Sequence, residues 1–393
     1  DCGECIRVCP HHAKKARYDH LSVLEGWKYK IAIPAPALFG QFNNLDDIDI
    51  VLTGLKQMGF DDVYEVSRGA ELVSDATRKL MADGRLPKPV ISSACPAVVR
   101  LIRVRFPDLC DHVLNLNAPM EVSAMMAKRA ASERTGIPIE EIGAFFITPC
   151  PAKVTDIKMP IGTEGSWCDG AIAISEVFPL LSHRMDKLET VEPIGQSGLI
   201  GVSWAGSGGE SAALLNEKYL AADGIENVIR VLEDMEDQKF TNLRFVELNA
   251  CNGGCVGGVL CVENGYVAKA RLQRLRKYLP VSQNHLDGGV PRDMEWTEPL
   301  EFAPVLKLSQ NLEEAMQMME EIDVICEGLP GLDCGSCGAP SCRALAEDVV
   351  RGAARTSDCV FVMREQVKNV ADTLSSIGGY VPSYLDSKEK QGN

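Results

Sequence analysis

The residues best suited to chemistry in this chain are its cysteines: fifteen among 393 residues, bunched instead of scattered. Cys95 and Cys150 each stand between an apolar run and a proline, and Cys251 and Cys255 lie four apart in a glycine-rich stretch. Cys334, Cys337, Cys342 and Cys359 form a C-x2-C-x4-C-x16-C series, while Cys2, Cys5 and Cys9 open the sequence. An odd count argues against a closed disulfide framework, and short regular spacings are those of metal ligands. Zinc and iron-sulfur clusters are the centres that accept several thiolates at once.

These thiols need elements to hold them. Residues 27 to 310 alternate short apolar runs with longer periodic segments, which predicts an α/β fold of parallel sheets wrapped by helices. Pro89-Val90-Ile91-Ser92-Ser93-Ala94-Cys95-Pro96 and Ala144-Phe145-Phe146-Ile147-Thr148-Pro149-Cys150-Pro151 each run from a strand-like segment through cysteine to proline. Proline suits the first helical position, so each cysteine is expected at a strand-to-helix corner, where free backbone N–H groups can face an anionic cluster. Either site alone could equally be a buried structural thiol beside a helix start.

The third site is more telling. Phe245-Val246-Glu247-Leu248 reads as a strand, followed by Asn249-Ala250-Cys251-Asn252-Gly253-Gly254-Cys255. Two cysteines four apart are expected on one side of a helical turn, with glycines letting backbone approach a bulky group. Cys95, Cys150, Cys251 and Cys255 then supply the four thiolates of one cubane. In the C-terminal series a periodic helix through Leu345, Val349, Val350 and Ala353 would return the chain so that Cys359 completes a site, either a 4Fe-4S cluster or four-thiolate zinc. Cys2, Cys5 and Cys9-Pro10 match the end of a ferredoxin-type run lacking its first cysteine, so the chain is expected to be a fragment whose upstream part would complete further 4Fe-4S ligation; a zinc knuckle or a disordered stub is the alternative.

Forty basic against fifty-five acidic side chains give a net charge of -15, which disfavours nucleic acid and anionic membranes as partners. Without a bilayer-length apolar run or a secretory leader, the expected address is the cytoplasm.

With these residues assembled, the chain resembles the FeFe (iron-only) hydrogenases over about residues 1 to 310. The family signature T-S-C-[SC]-P-G-W corresponds to Ser92 through Val98, M-P-C-x-x-K to Thr148 through Lys153, and E-x-x-x-C-P-G-G-C to Glu247 through Cys255, with Asn252 in place of proline. The resemblance implies an H-cluster: a 4Fe-4S cubane on Cys95, Cys150, Cys251 and Cys255, bridged by Cys255 to a two-iron unit carrying carbon monoxide, cyanide and a dithiolate. It implies that Lys153 pairs with a cyanide and that Ala35-Pro36-Ala37 cradles the far end of the unit. H2 and protons would be substrates, and a redox partner such as ferredoxin and maturation proteins would be partners.

Departures from the family pattern are equally informative. Ala94 replaces the cysteine that passes protons to the two-iron bridge, and a positioned acid or base is worth about a hundred- to ten-thousandfold in rate. Thr148 and Asn249 replace methionines, and Ala118-Pro119-Met120 stands where Ser-Pro-Gln is common. The resemblance is therefore to a sensory branch with low turnover; a cluster carrier or assembly factor lacking the two-iron unit is the alternative.

The expected organisation is a two-lobed core over 23–310, preceded by a ferredoxin remnant (1–22) and followed by a 4Fe-4S domain (311–365) and a helical tail or linker (366–393). In that tail Val367, Val370, Ala371, Leu374 and Ile377 form a stripe suited either to packing on the core or to connecting with a signalling domain or protein. Gly206-Ser207-Gly208-Gly209-Glu210 fits no phosphate loop, because Glu210 would repel a phosphate. Cys168, Glu121 and Glu247 are secondary candidates for proton donation. Cys110, Cys261 and Cys326 read as ordinary buried thiols, and His11 and His12 as solvated.

Overall fold

The computed structural model describes residues 2–11, 13–303, 308–309 and 311–378. Contacts divide the chain into two units, Asp1–Ala303 and Pro304–Asn393.

The first unit contains two parallel sheets. One has the order β2-β1-β4-β5, from β1 (Tyr29–Pro34), β2 (Asp62–Val63), β4 (Ile142–Thr148) and β5 (Gly170–Ala173). The other has the order β3-β7-β6, from β3 (Val90–Ile91), β6 (Tyr219–Asp223) and β7 (Phe245–Asn249). All pairings are parallel; Ile31 lies opposite Ala144, and Val90 opposite Phe245. Parallel strands covered on both faces must be apolar throughout, and all seven residues of β4 are buried. The helices needed here are α1 (Val66–Ala82), α2 (Pro96–Arg105), α3 (Pro119–Thr135) and α4 (Pro151–Lys158).

The cysteine corners form as the sequence predicts. Cys95 and Cys150 are the residues immediately before α2 and α4, each with extended backbone and proline at the first helical position. Cys251 to Cys255 forms differently. The segment is a looped turn, with Gly253 at φ 80° and Gly254 at φ 91°, and only a single 3-10 turn begins at Cys255. The expected helical turn is blocked because the second glycine abuts the 206–209 loop: a Cβ on Gly254 would lie 2.4 Å from the Ser207 nitrogen. Close backbone apposition, which tolerates no side chain, sets the local shape.

In the second unit α5 (Leu312–Glu327) packs on α6 (Cys342–Val350) around Ile322, Leu345, Ala346 and Cys359. A third helix, α7, spans Val360–Gly378 and runs unbroken through residue 365. Ala353 falls beyond the end of α6, which stops at Val350. No helix among the described residues is long and apolar enough to cross a membrane.

Candidate metal-cluster site

The carboxyl ends of β1, β3, β4 and β7 converge from the two sheets onto one cavity. Such strand ends are where open α/β sheets hold ligands. Its wall includes Ala35, Pro36 and Ala37 after β1, Ala94 and Cys95 after β3, Cys150 and Lys153 after β4, and Asn249 and Cys255 from the end of β7 onward. Pro119 and Met120 line it from the start of α3, and Glu210 and Glu247 add two carboxyls to the wall.

The four core thiols are close enough to interact. Burial, and then the neighbouring Cys95, push the Cys150 thiol up to about 11, although the N–H groups of Lys153 and Ala152 pull it back. Cys251 and Cys255 are raised further, by burial first and then by Cys150 and Cys95. Cys255 is enclosed by protein yet faces open space, because its exposed surface belongs to the cavity. Raised thiols of this kind form a site whose charge is balanced when metal binds and protons leave. Among the described residues no three His, Cys, Asp or Glu side chains close on a point as ligands of a single ion.

Lys153 is the most unusual group on the wall. Its Nζ is buried without a hydrogen-bond partner. The carboxyls of Glu121, Asp156 and Glu210 feel its charge, but none bonds to it. A buried ammonium costs several kcal/mol when left alone, so the position calls for an acceptor inside the cavity.

Thr148 does not line the cavity. It is fully buried, and its hydroxyl accepts from the Cys150 N–H at 3.0 Å, fixing the corner from behind. Glu121 also lies off the main cavity, on a separate pocket with Ser93 and Asp156, and accepts from Ser166 Oγ at 2.6 Å and the Trp167 N–H at 2.7 Å. Cys168 is buried with its thiol toward the Met120 carbonyl, 3.9 Å away. Cys261 sits beside the site: its Sγ is 3.8 Å from the Cys255 carbonyl, and burial, then Cys150, push it up to about 12.

Sequence reasoning missed Glu210. Its carboxyl is buried and paired with Ser92 Oγ at 2.6 Å, and burial, then the Glu247 carboxylate, raise it to about 8. Glu247 is held by N–H groups of Gly208 (2.9 Å) and Ser211 (2.8 Å) and by Asn249 Nδ2 (3.0 Å). The signal available was a glutamate amid glycines and alanines, where a solvated surface would carry more charge.

At the N-terminus, Cys2 packs against the apolar cluster that also contacts Cys95 and Cys150, while Cys5 is exposed. Arg7 donates to the Gly257 carbonyl at 2.7 Å, tying this segment to the loop after Cys255. The N–H groups of Ala13 and His11 lower the Cys9 thiol, as they would stabilise a thiolate. His11 is exposed; His12 lies outside the described residues. Cys110 is buried, with its Sγ directed at the Phe106 carbonyl.

In the second unit Cys337, Cys342 and Cys359 share one small core with Cys326, and Cys334 sits exposed at its edge. The Ser336 hydroxyl and N–H lower the Cys334 thiol. Asp333 accepts from the Cys342 N–H at 2.7 Å and draws the cysteine loop onto α6.

A thiol-walled cavity between parallel sheets defines a scaffold for a metal-sulfur cofactor. The family comparison then sets the lineage. Residues 28–219 and 210–259 match the model described as "Iron only hydrogenase large subunit, C-terminal domain", and residues 329–361 match one described as "Putative Fe-S cluster". The chain belongs to the iron-only hydrogenase large-subunit family.

Among curated relatives it is 26% identical over 182 residues to the NADP-reducing hydrogenase subunit HndD of Solidesulfovibrio fructosivorans, covering 41% of this chain and 31% of that one. It is 21% identical over 267 residues to iron hydrogenase 1 of Clostridium pasteurianum, covering 56% and 46%. A cytosolic Fe-S cluster assembly factor, nar1 of Aspergillus terreus, matches at 29% identity over 99 residues, covering 25% and 16%. The chain thus spans less than half the length of the two hydrogenase relatives. A solved structure of the [FeFe]-hydrogenase HydA1 from Chlamydomonas reinhardtii superposes with TM-score 0.56 at 17% identity, covering 70% of this chain and 95% of that one, which establishes a shared fold.

Proposed function

We propose that the cavity holds an H-cluster and that the chain reacts with dihydrogen there, slowly enough to serve as a hydrogen or redox sensor. The observation that carries this reading is the buried, partnerless Lys153 Nζ facing a cavity walled by cysteines. An anionic, acceptor-bearing group such as a metal-bound cyanide would satisfy it.

When bound, the H-cluster supplies reversible cleavage of dihydrogen into protons and electrons. The chain's own work is separable. Cys95, Cys150, Cys251 and Cys255 bind the cubane, with Cys255 also reaching the two-iron unit. Lys153 orients that unit by charge, while Ala35, Pro36, Ala37, Pro119 and Met120 exclude water, and Asn249 holds Glu247 in place. Glu210 keeps its proton at neutral pH and is placed to pass it between the cavity and Glu247. Cys2, Cys5 and Cys9, and Cys334, Cys337, Cys342 and Cys359, would hold 4Fe-4S clusters, which supply electron transfer toward a partner such as ferredoxin. The proposed organisation remains a ferredoxin remnant, the H-cluster domain, a C-terminal cluster domain and a helical linker, in a cytoplasmic protein loaded by maturation proteins.

Low turnover follows from Ala94, which leaves the cavity wall beside Cys95 without a titratable side chain. Ala94→Cys is expected to raise proton reduction tenfold or more, since a positioned donor is worth about a hundred- to ten-thousandfold; an unchanged rate would show that proton supply is not what holds turnover down. The H-cluster itself is tested by infrared spectroscopy after maturation. Carbonyl and cyanide bands are expected, and their complete absence would favour the second reading, a cluster carrier related to the nar1 assembly factors.

A further inference from the structure

The longest helix of the C-terminal unit, α7, lies almost bare. Among the described residues, Val362 packs into that unit's core at its start, and the 3-10 turn Thr356–Asp358 leading into it packs beside it. Beyond that, Val360, Met363, Val367, Val370 and Leu374 are each between 43% and 64% exposed. Their spacing alternates three and four without interruption, and Ile377 continues it in the sequence. This is the a/d spacing of a left-handed coiled coil, with a β-branched valine at two of the three a positions, a choice that favours two strands.

We propose that α7 pairs in parallel and in register with α7 of a second copy of this chain. Its charges support a self-partner. Glu365, Lys368 and Asp372 occupy the b and f positions, away from the seam, and the flanking e and g positions carry Gln366, Ala371 and Thr373 with one charge, Arg364. In a parallel pair the g residue Gln366 meets the partner copy's e residue at position 371, so identical helices meet no like-charge barrier there. The seam begins at Val360, directly after Cys359, so the pairing would join two C-terminal cluster units at a cluster ligand. This argument rests on α7 alone and stands whether or not the core reacts with hydrogen.

The test is sedimentation velocity of the full chain over a concentration series. Wild type is expected to dimerise, and Val367→Glu with Val370→Glu to weaken the dimer by about a hundredfold or more, with iron content unchanged. A wild type that stays monomeric, or a dimer indifferent to the two glutamates, overturns the pairing. Orientation has its own readout. Gln366→Glu with Ala371→Lys is expected to tighten a parallel dimer through g–e′ ion pairs, and Gln366→Glu with Ala371→Glu to loosen it; weakening by the first pair overturns the parallel register.

Discussion

Glu210→Gln is expected to slow hydrogen turnover by about a hundred- to ten-thousandfold while leaving iron content and infrared bands in place. The amide keeps the shape of the side chain and can still accept from Ser92 Oγ, which lies 2.6 Å from the carboxylate. What it lacks is a proton it can release. Glu210 is suited to that task because burial, then the Glu247 carboxylate, hold its proton to about pH 8, while three donors fix Glu247 in place. A variant retaining wild-type turnover would remove this route.

The same substitution has a thermodynamic signature independent of activity. Glu210 has a raised pKa when folded, so the folded chain keeps a proton that the unfolded chain has lost. Its contribution to stability therefore falls as pH rises from the ordinary glutamate value of about 4.3 toward about 8. Glutamine does not titrate. Thermal unfolding of Glu210→Gln is expected to decline less steeply than wild type across that window, and an identical slope would contradict the buried, protonated state.

The second large effect is expected from Lys153→Met, with two readouts of opposite sign. In the apoprotein the substitution removes a buried ammonium that has no hydrogen-bond partner, while methionine retains most of the aliphatic stem. Stability should rise by about 1–3 kcal/mol, the scale of an unsatisfied buried polar group. In the matured protein the two-iron unit loses a charge-assisted hydrogen bond of about 1.5–3 kcal/mol, so its retention should weaken by about ten- to a hundredfold or more. Carbonyl and cyanide bands should fall relative to cubane iron, which the four thiolates hold independently. Apoprotein destabilised by the substitution, with bands retained in full, would mean that Lys153 is structural and that the cavity asks for no anion.

Local sequence determined much of this arrangement because its signals are local. A cysteine between a strand-like run and a proline can hardly avoid a strand-to-helix corner, since proline fixes the first helical φ and needs no N–H; Cys95 and Cys150 therefore stand where their neighbours predict. The apolar run Ile142 to Ile147 of β4 likewise announced a strand buried on both faces. Periodicity also located α7, although not that its stripe would be left uncovered.

Other features depended on residues far apart in the chain. Cys251 to Cys255 lost its helical turn to a close contact with the 206–209 loop. Thr148 turned behind its corner, away from the cavity. Glu210, unpromising as a phosphate neighbour, became a buried partner of Ser92, 118 positions earlier. Cys261 joined the edge of the cluster site because the chain doubles back beside Cys255. The physical division is one of range. Backbone preference and hydrophobic period act within a few residues and can be read in order, whereas burial, and with it the protonation of a carboxyl or the isolation of an ammonium, exists only once distant strands have closed around the group.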